Sequence, residues 1–176
     1  MRELPTFKYH PDPIKTGMIA QTENACECCG HANGYMCKRP IYAADDVETI
    51  CPWCVADGSA AEKFDGVFVD DHPLLMAKLP AEVVDEVSKR TPGYESWQEA
   101  SWLACCGDAC EFHGDESREY LESLDQDGLV RLSKETRFPF DVLMDVIAHY
   151  QPGGSPAFYR FRCRQCTAIH HHADFH

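Results

Sequence analysis

At 176 residues, with 44% hydrophobic and 11% aromatic side chains, the chain can bury one medium core or two small ones and is too apolar for a disordered tail. It carries 16 basic against 29 acidic residues, a formal charge of −13 at pH 7, which repels phosphate backbones, disfavours nucleic-acid binding and favours fast encounters with basic partners. No run of about 18 apolar residues occurs, so no membrane insertion is expected. Met1 to His10 lacks the apolar heart of a secretion signal, which places the chain in the cytoplasm with its eleven cysteines reduced.

Residues 1–25 read as an extended arm, because Pro5, Pro11, Pro13 and Gly17 interrupt any regular run. Leu4, Phe7, Tyr9, Ile14, Met18 and Ile19 are expected to pack on the body. Residues 26–54 read as a zinc ribbon. Gly30 and Gly34 permit turns of positive φ, while Tyr35 to Tyr42 and Val47 to Ile50 form short strands, bent at Pro40 and at the Asp45-Asp46 turn. Val55 to Phe64 is alanine-rich and predicted helical, weakened at Gly58.

A clearer helix covers 80–90. Pro80 suits a first turn, Glu82 lies near the positive end, Lys89 and Arg90 near the negative end, and Val83, Val84 and Val87 share a face. Thr91-Pro92-Gly93 ends it. Ser96-Trp97-Gln98-Glu99 fits a capping box that opens a short helix toward Trp102, Leu103 and Cys105. Further helices are predicted over 115–126 and 141–150, with Leu129 and Leu132 in the loop after the first. After the Gln151 to Pro156 loop, Ala157 to Arg162 alternates as a strand, and Thr167 to Phe175 returns as its hairpin partner. The fold class expected is α+β, with zinc-ribbon-like β knuckles joined to several short helices. It is read as one unit over 1–176, with a first zinc ribbon at 1–64 and a helical part carrying a second zinc site at 65–176.

The cysteines fall into close-spaced pairs, and four thiolates from two such knuckles make a closed tetrahedral zinc site. Cys26, Cys29, Cys51 and Cys54 form C-x2-C, 21 residues, C-x2-C, with Gly30 after the second thiol favouring Cys29 over Cys28. The second set is assigned to Cys106, Cys110, Cys163 and Cys166, with looser spacing and 52 residues between its pairs. Cys105 can replace Cys106 there, and His113, His170, His171 or His172 can replace a sulfur. Two structural Zn2+ ions are therefore expected, each adding a net charge of −2 and bringing the loaded chain to about −17. Cys28 and Cys37 are left without a role, and the histidines from His170 to His176 read as a solvated strand end. No catalytic residue is assigned. Asp57, Ser59, Asp70, Asp71 and His72 lack any accompanying nucleophile elbow or phosphate loop, and closed four-sulfur centres hold no open position for water. The competing chemistry is thiol–disulfide exchange at Cys51-Pro52-Trp53-Cys54, which resembles the glutaredoxin motif.

Several strings together carry a family resemblance: Leu4 to Pro13, Ile50 to Ala61, Thr91 to Gln98 and Trp102 to Cys110. On these the chain resembles the CbrC family of small bacterial proteins over nearly its whole length. That resemblance implies a link to colicin tolerance and, by extension, immunity against secreted toxins, with the cysteine knuckles as matching positions and no catalytic residues. Thr167 departs from it where a glycine is usual, as does Cys105 where a histidine is as readily expected. The function expected is a zinc-stabilised cytosolic binding protein, giving toxin immunity or colicin tolerance by holding a basic protein partner such as a toxin domain. The alternatives are an oxidoreductase through Cys51 and Cys54, a metal hydrolase, or a structural adaptor.

Overall fold

The computed structural model describes residues 3–39, 41–98 and 100–176. The bend expected at Pro40, Glu99 of the expected capping box, and Met1 and Arg2 of the N-terminal run lie outside the described residues.

The arm from Glu3 to Thr16 has no regular structure, yet it is anchored by side chains that water rejects. Phe7, Tyr9 and Met18 are buried, whereas Ile14 stays exposed. The arm ends in strand β1 (Ile19–Gln21), which pairs antiparallel with β2 (Tyr35–Cys37) in the register Ile19↔Cys37. The second expected ribbon strand is reduced to one bridge, Ile50 against Cys37. Cys51 then caps α1 (Pro52–Ala56), with Pro52 at the first turn, where a missing N–H costs nothing. Gly58, at φ 82°, breaks the predicted 55–64 helix, and α2 (Ser59–Phe64) restarts after it. The short α3 (His72–Met76) precedes α4 (Ala81–Arg90), which buries Val83, Val84 and Val87 as their spacing predicts.

The helix expected from Ser96 toward Cys105 does not form. Residues 94–103 run without regular structure among those described, and a tight hairpin follows. Strands β3 (Ala104–Cys105) and β4 (Asp108–Ala109) flank Cys106-Gly107. Both turn residues have positive φ, 52° and 75°, which is the two-residue turn whose twist matches antiparallel strands. Capping chemistry at Ser96 therefore lost to turn chemistry ten residues on.

Strand β5 (Glu111–Asp115) opens an antiparallel sheet of order β5-β6-β7, with β6 (Ala157–Arg162) and β7 (Ile169–Asp174) as the predicted hairpin. Between β5 and β6 lie α5 (Arg118–Glu122), α6 (Gln126–Thr136) and α7 (Phe140–His149). Ser117 and Asp125 cap the first two of these by accepting backbone N–H groups. Leu129 and Leu132, expected in a loop, belong to α6.

The period-two alternation of β6 divides two hydrophobic clusters. Ala157, Tyr159 and Phe161 face the larger one, which also holds Phe7, Trp53, Val87, Trp102 and Phe112. Phe158 faces the other way, onto Leu121, Leu132, Leu143, Ile147 and Tyr150 of the helical layer. Where the layers meet, the Glu116 carboxylate is buried but fully met. Arg160 Nη1 donates to both of its oxygens at 2.9 and 2.7 Å, His171 Nε2 lies at 3.0 Å and the Ser117 amide donates at 2.9 Å. These donors outweigh the desolvation that pushes Glu116 up and hold its carboxyl below the usual range. The architecture is α+β with small antiparallel sheets. No helix among the described residues is long and apolar enough to cross a membrane.

Candidate metal centres

All eleven cysteines are unbridged thiols. Eight of them gather in two groups of four. Cys26, Cys29, Cys51 and Cys54 form one and Cys105, Cys106, Cys163 and Cys166 the other, with the four sulfurs of each group within 4.8 Å of one another. Zinc–sulfur bonds of 2.3 Å at tetrahedral angles put sulfurs about 3.8 Å apart. The sulfur separations are 4.0 Å for Cys29–Cys51, 3.7 Å for Cys105–Cys106 and 3.8 Å for Cys105–Cys166. They are far too long for disulfides, whose sulfurs lie at about 2.0 Å, and they match four ligands around one ion.

The first centre is built by a local fold-back. The Cys26 carbonyl accepts the Gly30 amide at 2.6 Å, and Gly30 takes φ 75°, so Cys26 and Cys29 present their sulfurs on one side of a knuckle. Glu27 locks this knuckle to the segment leading into Cys51, because its Oε1 accepts the Glu48 and Thr49 amides at 2.9 and 2.7 Å. Cys51 and Cys54 come from the start of α1. The Cys51 amide donates to Cys26 Sγ at 3.2 Å, and Asn33 Nδ2 donates to Cys51 Sγ at 3.2 Å and Cys29 Sγ at 3.5 Å. Lys63 Nζ donates to the Glu27 and Cys28 carbonyls at 2.7 and 2.8 Å, closing the outer face of the knuckle. Cys28 stays outside the set, its thiol donating to Ser59 Oγ at 3.6 Å. Cys37 is buried in β2, and burial pushes its thiol far up.

The second centre differs from the spacing-based assignment at one position. Cys105 stands in the group and Cys110 does not. The hairpin explains this: its turn carries Cys105 and Cys106 to the tip, where they meet the last knuckle. Cys110 lies just past the returning strand, its amide donating to the Leu103 carbonyl at 2.9 Å and its side chain fully buried in the larger hydrophobic cluster. Burial, with repulsion from Cys163 and Cys166, pushes its thiol up to about 12. The C-x3-C pattern is therefore split by a turn. The signal for it was present in Cys106-Gly107-Asp108, a turn tripeptide between residues able to pair.

The last knuckle repeats the first without its glycine. The Thr167 amide donates to the Cys163 carbonyl at 3.1 Å, and Thr167 adopts φ 60°, where Gly30 has 75°. Arg164 ties this knuckle to the hairpin through Asp108 at 3.3 Å and Glu111 at 3.4 Å. Asp108 also accepts from the Tyr9 hydroxyl at 2.6 Å. Burial pushes the Asp108 carboxyl up, but the Tyr9 and Ala109 donors with Lys8 and Arg164 bring it below the usual range. None of His113, His170 and His171, weighed as alternative ligands, joins either group. His113 faces Glu111, His170 faces Glu135, and His171 faces Glu116. His172 lies against the Tyr159 ring and is likewise in neither group.

The electrostatics of both groups call for a cation. In the first, burial pushes Cys29 up, but hydrogen bonds from His31, Cys54 and Cys26 outweigh it and bring the thiol down to about 6. Burial and the neighbouring Cys51 and Cys26 push Cys54 strongly up. In the second, the Cys166 amide brings Cys163 down to about 6, while burial and the Cys163, Cys106 and Cys166 sulfurs push Cys105 up. One thiolate per group ionises readily and makes the next costly. A divalent ion held by the four sulfurs would offset that repulsion and favour all four thiolates. An ion held by all four sulfurs would keep no position for a reacting water.

Functional residues absent from the sequence reading are Asn33 and Lys63 at the first centre and Arg164 and Asp108 at the second. Asn33 stands in an Asn-Gly pair, which signals a turn but not its aim at sulfur. Arg164 lies inside its own knuckle.

The family model described as "Uncharacterised protein family (UPF0167)" matches residues 4–175. A relative in Pseudomonas aeruginosa, UPF0167 protein PA1536, is 44% identical over 174 residues, covering 98% of this chain and 97% of its own length. UPF0167 protein Mb2317 of Mycobacterium bovis and UPF0167 protein MT2352 of Mycobacterium tuberculosis are each 39% identical over 178 residues, covering 99% of this chain and 95% of their own. No solved structure matches. These findings correct the expected CbrC membership: the family model and these three relatives carry the UPF0167 designation, not the CbrC name. Matched over nearly its whole length, the chain belongs to the uncharacterised protein family UPF0167.

Proposed function

We propose that the protein is a zinc-stabilised binding protein of the cytoplasm, in which two closed tetracysteine centres hold a scaffold that presents an acidic surface to a basic protein partner. The observation that carries this reading is the convergence of two sets of four sulfurs, each within 4.8 Å, at spacings suited to zinc. Both sets join elements distant in the chain, as structural centres do. Closed sulfur coordination supports binding over hydrolysis. Exchange chemistry at Cys51 and Cys54 calls for an exposed thiol of low pKa, whereas both are buried and burial pushes both up. The charge of −13 supports a basic partner through electrostatic steering. The colicin-tolerance expectation came with the CbrC resemblance and is dropped with it.

Elemental analysis of untagged protein tests the reading, with two zinc equivalents per chain expected. A strong chelator should then lower the melting temperature by more than 10 °C, since binding energy at such centres is folding energy. Metal-free protein that melts identically with and without chelator would overturn it.

A further inference from the structure

Away from both centres, the molecule carries a cleft of about 540 Å³, lined by residues from the arm, the 94–97 segment, β5, the 153–154 loop and β6. Its size is that of a small-molecule site. Three aromatic rings form the floor: Tyr94 stacks on Phe112 at 4.4 Å, and Tyr159 lies tilted against Tyr94 at 4.8 Å. The exposed Trp97 stands at the rim, its indole N–H donating to the Gly154 carbonyl at 3.1 Å.

The charged groups of the lining are few and of one sign. Asp115 ends β5 at a bulge, where the register with β6 shifts between Phe112 and Asp115 and Gly114 takes φ 89°. Bulges of this kind re-aim a side chain. The Asp115 carboxylate accepts the Gly153 amide at 2.6 Å, which fixes its position. Among the described residues no cation lies within ion-pair distance of it, although it is half-buried and burial pushes its carboxyl up. Glu95 adds a second carboxylate to the lining, and no Lys, Arg or His lines the cleft among the described residues. Lys38 and Arg39 line an adjoining groove that shares Met18 and Glu95 with it. Ser96 also belongs to the lining, but its Oγ is shielded from water and has no hydrogen-bond partner among the described residues.

We propose that this cleft binds an organic cation, a primary ammonium or guanidinium group on a short apolar stem. Asp115 meets the charge, and the Tyr94, Phe112 and Tyr159 rings flank the stem. A carboxylate sharing a cleft with aromatic rings suits an alkylammonium group, since the ring quadrupole and the carboxylate attract the same charge. An anionic ligand would meet two carboxylates and no cation among the lining residues; Arg39, in the adjoining groove, is engaged with the Tyr94 carbonyl at 2.8 Å. The inference stands apart from the zinc reading, because no cysteine of either centre lines the cleft.

The test is titration of the metal-loaded full chain with n-butylammonium and agmatine at constant ionic strength, followed by 15N shifts. Saturable shifts at the Gly114, Gly153 and Gly154 amides and the Trp97 indole are expected, with n-butanol and butyrate at least tenfold weaker. Asp115→Asn keeps an oxygen for the Gly153 amide and should weaken binding at least tenfold. Zinc content, measured on the same sample, should not change. Nα-acetyl-lysine methylamide serves as the protein-borne source of the same group: tighter binding than butylammonium assigns the cleft to a partner's side chain, weaker binding to a free amine. Equal shifts with n-butanol, shifts spread over the acidic surface, or unchanged affinity in Asp115→Asn would overturn the proposal.

Discussion

The replacement of Cys110 by Cys105 in the second centre makes a sharp prediction, because the two residues are five apart and differ in every relevant respect. Structural zinc sites contribute about 10–16 kcal/mol of binding energy, so one thiolate of four accounts for about 3 kcal/mol, or about a hundredfold in metal affinity. Cys105→Ser should leave one tight zinc and weaken the other by about that factor, as read by competition against a chromophoric chelator. Cobalt-loaded Cys105→Ser should also lose part of its sulfur-to-metal charge-transfer absorption. Cys110→Ala removes a small buried side chain with no sulfur in either group. It should cost about 1 kcal/mol of packing and retain both ions at wild-type affinity. The geometry stands or falls on the contrast between the two variants. A Cys110→Ala protein that loses its second zinc, beside a Cys105→Ser protein that keeps two, would refute the hairpin-tip placement.

Two further outcomes follow from buried ionisable groups. Glu116→Gln keeps the side-chain shape but removes the charge that Arg160 and His171 surround; it should cost about 3 kcal/mol in urea unfolding, and a loss under 1 kcal/mol would show the network to be dispensable. His10 is fully buried, its Nδ1 at 3.0 Å from the Pro92 carbonyl and its Nε2 at 2.7 Å from Thr16 Oγ1, and burial lowers it from 6.5 to about 4. Below pH 6.5 the unfolded chain binds a proton that the folded one refuses, so stability present above that pH is lost as pH falls toward 4, by about 2 kcal/mol at pH 5. Acid also releases zinc, so the readout is the difference between wild type and His10→Asn, which should narrow from pH 7 to pH 5; parallel curves would count against it.

What could be read from the sequence was whatever depended on short-range chemistry. The 80–90 helix, the terminal hairpin and each C-x2-C knuckle rest on residues within a few positions of one another, whereas the break that Gly58 makes in the 55–64 helix was not foreseen. The second group was read three-quarters of the way. Its far pair, Cys163 and Cys166, is a local knuckle, but its near pair depends on a turn at Cys106-Gly107 that competes with the helix signals at Ser96. Only tertiary packing decided between them, because Tyr94 and Trp102 bury against Phe112 and Phe161 in an irregular path that no periodicity marks. Thr167 shows the same limit. A β-branched residue at φ 60° is disfavoured on its own, and the knuckle around Cys163 holds it there. The cleft around Asp115 left no trace in the sequence, since its lining is scattered from Thr16 to Tyr159.

The two sulfur groups differ in how much polypeptide must exist before each can close. The first spans Cys26 to Cys54 and is complete once α1 has been made. The second waits for Cys166, by which point every helix of the structure has been synthesised. During vectorial synthesis on a ribosome, the early thiols can therefore capture an ion and set the N-terminal part. Cys105 and Cys106, meanwhile, emerge with no partner until some sixty further residues follow. For that interval they are an exposed vicinal dithiol, the stage at which the newborn chain is most open to oxidation and to soft-metal poisoning.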